Sequence, residues 1–201
     1  MSDQMWKIMK SMYSHKELRK EDERAIQSVV TLLTLNMGFA PDRRIQKAFF
    51  LAEVWSIEER LTRLTRADFA SWTHGPWSLQ VKVAEEDLQW EGILRPKQDV
   101  PKKYKDAEFL EIVKIPKSFL SLKEEDEKFI KSFADQIRFI DSEKLTQLAK
   151  TTKPYLSTKD KEIIDLDGYL KEMKEKQIRF QDSDRVARFI GEAEAESWDW
   201  G

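Results

Sequence analysis

Six consecutive residues, Trp72-Thr73-His74-Gly75-Pro76-Trp77, place two indoles and an imidazole around a Gly-Pro turn. Side chains of these types suit three roles. An imidazole titrates near neutral pH, so His74 is suited to general acid-base work if a partner base, acid or nucleophile stands beside it. Tryptophan carries much of the energy at protein interfaces, so Trp72, His74, Gly75, Pro76 and Trp77 together suit a recognition element. Aromatics at a bend also commonly fill the core, and on that reading Trp72 and Trp77 pack beneath the turn while His74 hydrogen-bonds locally. Packing is the default expectation and recognition the functional one.

Other residues limit the chemistry further. The chain holds no Cys and only two His, His15 and His74. Thiolate nucleophiles and Cys-based zinc or iron-sulfur sites are therefore excluded, and a His-rich metal site or a Ser-His-Asp triad has little material. The six glycines are scattered singly, so no phosphate-cradling loop or dinucleotide fingerprint is formed. No catalytic residue, metal or cofactor is expected, and the chain is not expected to be an enzyme; a hydrolase built on His74 and unidentified carboxylates is the rival. The acidic runs Glu58-Glu59, Glu85-Glu86 and Glu124-Glu125-Asp126 read as solvated faces or helix N-termini, where the helix dipole favours a carboxylate. Arg95, Lys97, Lys102, Lys103 and Lys105 form a basic cluster suited to phosphate contact, diluted by Asp99, Asp106 and Glu108. Trp198 and Trp200 sit among carboxylates near the end of the sequence and suit docking onto a partner.

These groups must be positioned by a chain of 201 residues with 35 basic and 37 acidic side chains, a length that suits one domain. A net charge of -2 leaves no global footprint for nucleic acid. The absence of Cys fits a reducing compartment, and the first 20 residues lack the apolar stretch of a signal peptide, so the cytoplasm is the expected location and no membrane partner is expected.

Ile26, Val29, Val30, Leu33 and Met37 recur at helical spacing ahead of Gly38, which predicts a helix over 21–37. Pro41 and Asp42 open a second helix, apolar around most of its circumference from Ile45 to Leu61, which belongs in the middle of the core. Residues 67–77 read as an irregular connection and 79–88 as a short helix ending at Gly92. Ile93 to Arg95 and Phe109 to Ile115 read as two strands, the outline of a winged helix with the basic cluster on its wing. Ser121 with Glu124 predicts a capping box for a helix over 122–139. Further helices are expected from Ser142 to Lys150, broken by Pro154, from Lys161 to Lys174, and from Ser183 to Glu196. The expected fold is mainly α: a single helical domain with a small two- or three-stranded β element, a wing-like hairpin. Residues 1–20 form an N-terminal arm or short helix, 21–178 the helical domain, and 179–201 a C-terminal helix and acidic, Trp-containing tail.

The helix Ile45-Gln46-Lys47-Ala48-Phe49-Phe50-Leu51-Ala52 and the later Phe69-Ala70-Ser71-Trp72-Thr73-His74-Gly75-Pro76 resemble the signature of Panacea (SocA-like antitoxin) domains, a helix of the type LQKLLYLA and an F-x-A-W-x-x-G-P element. Glu91-Gly92-Ile93-Leu94 resembles the family's EGIL segment. Leu145 to Ala149 and Thr151 to Tyr155 resemble its L-x-x-L-x-H and x-x-P-W segments, leading to Ile163-Ile164 and Tyr169. Ser71 departs from the small or Ala neighbour of the Trp, Lys150 or Thr151 stands for the His, and Tyr155 for the Trp. The resemblance covers residues 25–175 and implies a mainly helical antitoxin that binds and neutralises a cognate toxin protein, in one branch as an adaptor delivering the toxin to a protease. The alternative from the residues alone is a winged-helix DNA-binding transcriptional regulator.

Overall fold

The apolar stripe of the first helix decides how it lies. Ile26, Val29, Val30 and Leu33 are all buried, so α1, Lys20–Met37, turns that face inward, with Glu21, Asp22 and Glu23 in its first turn, where unpaired N–H groups favour negative charge. Gly38 ends it with φ 82°, a conformation glycine adopts without a Cβ clash, and its N–H donates to the Leu35 carbonyl. The computed structural model describes residues 18–38, 40–97, 109–115 and 120–176. Among these the fold is mainly α, with seven helices and one three-stranded antiparallel sheet.

After the two-residue strand β1, Ala40–Pro41, comes α2, Asp42–Arg60, in which every residue from Ile45 to Glu58 is buried. It is enclosed by α1, α3 (Leu79–Trp90), α4 (Glu124–Ile137), α5 (Ser142–Thr151) and α7 (Leu166–Lys176). Phe49 and Phe50 are fully buried against the ring of Phe69, and burial of each such side chain is worth about 1.5–3 kcal/mol before entropy is subtracted.

So central a helix buries its polar residues too. The hydroxyl of Tyr169 donates to Glu58 at 2.7 Å. The fully buried Glu53 accepts from the Leu64 and Thr65 backbone N–H groups at 3.0 and 2.9 Å and from the Thr65 hydroxyl. Two of the acidic pairs therefore depart from the solvated-face reading. Glu58 and Glu85 are buried while Glu59 and Glu86 are exposed, and Lys82 stands 3.5 Å from the Glu85 carboxylate. The pairs straddle the edge of buried helix faces, so one member of each points inward.

The expected hairpin gains a third strand. β2, Leu94–Pro96, and β1 flank the central β3, Phe109–Ile112, with Leu94 opposite Ile112 and Ala40 opposite Leu110. Pro41 and Pro96 both fall on edge strands, where a missing N–H costs no ladder bond. The sheet thus ties itself to the start of α2.

Three expectations shift at helix ends. α4 begins at Glu124 behind Lys123, so the capping box does not form; Ser121 lies ahead of the cap, its N–H donating to the Ser28 hydroxyl at 3.0 Å. α5 is capped by Asp141, which accepts from the Lys144 N–H at 2.8 Å. Pro154 sits in the first turn of α6, Lys153–Leu156, so it opens one short helix just beyond the end of another. The helix expected from Lys161 begins at Leu166, because the backbone before it is drawn into bonds with the 69–71 segment: the Lys161 N–H donates to Ser71 at 2.7 Å and that of Ile164 to Phe69 at 2.7 Å. Residues 1–17 of the expected N-terminal arm and the expected 183–196 helix lie outside the described residues. Among the described residues no helix is long and apolar enough to cross a membrane.

Candidate binding groove

The 69–78 segment crosses the N-terminal half of α2 and is held from several sides. Ala70 and Trp77 exchange backbone hydrogen bonds at 2.8 and 3.1 Å, closing a loop whose tip is the turn from Trp72 to Gly75. The turn is sealed by the Gly75 N–H donating to Trp72 at 2.7 Å, and Gly75 has φ 85°. A Cβ there would stand 3.1 Å from the Thr146 methyl and 3.2 Å from Lys47 Cε, so glycine serves both the backbone angle and the close approach.

Side chains from other elements grip this loop by its carbonyls. Gln46 on α2 pairs with Ser78 as a strand would, accepting from its N–H at 2.8 Å and donating to its carbonyl at 3.1 Å, while the Ser78 hydroxyl caps α3. Lys47 Nζ donates to Pro76 at 2.7 Å, Lys150 Nζ to Thr73 at 2.6 Å, and the Tyr155 hydroxyl to Trp72 at 2.7 Å. The ammonium of Lys161 lies over the Trp72 ring at 5.8 Å.

Between this loop, the start of α2 and α5 runs a groove of about 500 Å³, which Trp72, His74, Gly75 and Trp77 line. The core reading of the two tryptophans fails: both are half-buried, and the aromatic that fills the core here is Phe69. Gly75 and Pro76 are buried and shape the turn. His74 is exposed, and nothing among the described residues hydrogen-bonds its imidazole, so neither the local bond nor a base-nucleophile pair is formed there. Of the basic cluster, Arg95 and Lys97 both pair with Glu111, at 2.9 and 3.0 Å, which neutralises part of that surface. Lys102, Lys103 and Lys105, like Trp198 and Trp200, lie outside the described residues.

Lys47 is the residue that the sequence reading missed. It is 4% exposed and makes no ion pair among the described residues. Burial pushes its ammonium from 10.5 down to about 7, with Arg43 and Lys150 adding to the effect and Asp42 opposing it. Between about 7 and 10.5 the unfolded chain therefore holds a proton that the folded chain has released, and stability rises with pH through that window. The unfolding free energy of the wild type, minus that of Lys47→Met, is expected to climb as pH is raised across it. A flat difference in urea titrations would show that the ammonium is not desolvated.

Compared with protein families, curated proteins and solved structures, the chain matches none.

Proposed function

We propose that this chain is an antitoxin-like protein that binds and neutralises a cognate toxin protein, and that the groove under the 69–78 loop is where the partner sits. The observation that carries the binding role is the pair of half-buried indoles, Trp72 and Trp77, on a loop whose backbone is bonded to α2, α5 and α6. Rings held in place before binding lose little entropy on association, and indoles of this kind make hot spots. The toxin as partner rests on the resemblance of the Gln46-Lys47 helix and the Trp72-to-Pro76 segment to Panacea domains.

The test begins with capture of the tagged protein from its native cell and mass spectrometry of a stoichiometric companion. Trp77→Ala is then expected to weaken that companion's binding by about 2 kcal/mol or more, roughly thirtyfold, with the melting temperature unchanged. A variant that melts early without a specific binding loss returns Trp77 to a packing role. A captured partner indifferent to the substitution moves the interface elsewhere, and recovery of DNA alone replaces the reading with that of a regulator.

A further inference from the structure

The charge of the groove is opposite to that of the chain. The whole sequence carries -2, yet four cationic side chains, Arg43, Lys47, Lys82 and Lys150, line the groove against two carboxylates, Asp42 and Glu143. The four cations are not equivalent. Lys82 stands 3.5 Å from Glu85, Lys150 is bonded to the Thr73 carbonyl, and Arg43 is exposed at the mouth. Lys47 alone is buried, and of its three donor hydrogens only the one on Pro76 has a partner among the described residues. A buried ammonium without a counter-ion is an expensive arrangement, and a carboxylate brought to it from outside relieves the cost.

Resting on the partner-binding reading above, we propose that the groove receives an acidic segment of the partner protein, one of whose carboxylates seats against Lys47 Nζ while Arg43 and Lys150 face its neighbours. A carboxylate is favoured over a nucleic-acid strand by two features. One face of the Trp72 ring is already covered by Lys161, which removes a stacking platform for bases, and Asp42 and Glu143 in the same groove oppose a continuous phosphate backbone.

Binding of this kind takes up a proton. The free Lys47 ammonium is half-ionised near neutral pH, and a carboxylate beside it restores the charged form. Among the described residues, the titratable groups lining the groove are Asp42, Arg43, Lys47, His74, Lys82, Glu143 and Lys150, and burial brings Lys47 into the neutral range.

The test uses hexaglutamate as the probe on the full chain, with hexalysine and oligothymidylate as controls. Calorimetry at pH 7.5 in buffers of differing ionisation enthalpy is expected to show proton uptake, and NMR to show the Lys47 titration moving upward when the peptide is added. Affinity is expected to fall about tenfold or more in Lys47→Met, the size of one charge-assisted hydrogen bond. Because that substitution also removes the Pro76 bond, Arg43→Ala at the exposed mouth gives a second and smaller loss with the loop intact. Equal affinity of wild type and Lys47→Met for hexaglutamate overturns the proposal, as does a preference for oligothymidylate, which would make the occupant a nucleic acid. Tighter hexaglutamate binding after neutralising Glu192, Glu194, Glu196 and Asp199 would assign the groove to the chain's own tail. A dimer that Lys47→Met disperses would assign it to a second copy. If Trp77→Ala releases the captured partner while Lys47→Met and Arg43→Ala retain it, the partner-binding reading stands and the carboxylate anchor falls. If none of the three releases it, the groove is not the interface.

Discussion

Glu53→Ala is expected to lower the unfolding free energy by about 3–5 kcal/mol, a fall in Tm of roughly 6–20 °C for a chain of this size. The carboxylate is fully buried and is the acceptor for two backbone N–H groups, those of Leu64 and Thr65, and for the Thr65 hydroxyl. Alanine leaves all three donors without a partner in an interior that water does not reach. It also strands Arg63, whose Nε stands 3.6 Å from the carboxylate, although the exposed Asp167 still holds the far side of that guanidinium. Burial pushes the Glu53 carboxyl above its ordinary range while Arg63 and the three donors pull it back, so the site tolerates an uncharged acceptor better than a gap. Glu53→Gln is therefore expected to lose less than Glu53→Ala in parallel urea melts. Equal losses would mean that the amide is no substitute and that charge, not acceptor capacity, holds this segment.

Phe69→Ala is expected to cost about 3–5 kcal/mol, and to damage the groove as well as the fold. Its ring packs against Phe49 at 5.8 Å and Phe50 at 5.3 Å with no exposure, so its removal leaves a cavity between α2 and the loop. The Phe69 carbonyl meanwhile accepts from Ile164 at 2.7 Å, so the same residue fixes the loop from its backbone. Once the ring is gone, the loop that carries Trp72 and Trp77 loses its packing on α2, and quenching of tryptophan fluorescence by acrylamide should rise together with the loss of stability. A loss below about 1 kcal/mol would show that neighbouring side chains collapse into the space.

The helices were legible because their apolar residues recur at the helical period and their ends carry Gly38, Pro41 and Pro154. The strand Ala40–Pro41 was not, since two residues offer no alternation and its partners Phe109 and Leu110 lie far along the chain. The 122–139 helix was placed well but its cap was not, because Ser121 is bound to Ser28 on another helix and never reaches the first turn. The start of α7 slipped because tertiary bonds from Ser71 and Phe69 hold residues 161–164 away from the helix. For the groove, the tryptophan-rich turn was found by composition, whereas its depth was not. Gln46 and Lys47 look like solvent-facing positions until α2 is recognised as enclosed. The signal was present in the apolar circumference of that helix, since a helix buried all round must bury its polar side chains with partners.

The clamps on the loop join residues distant in sequence: Trp72 is held by Tyr155 across 83 positions and Thr73 by Lys150 across 77. Ribosomes add about 5–20 residues each second, so roughly 4–17 s separate the synthesis of Trp77 from that of Ile164, the last backbone anchor. During that interval the emerging loop has its indoles but not the grip that orients them. A nascent copy therefore offers no finished groove until the chain has been extended through Lys150, Tyr155 and Ile164.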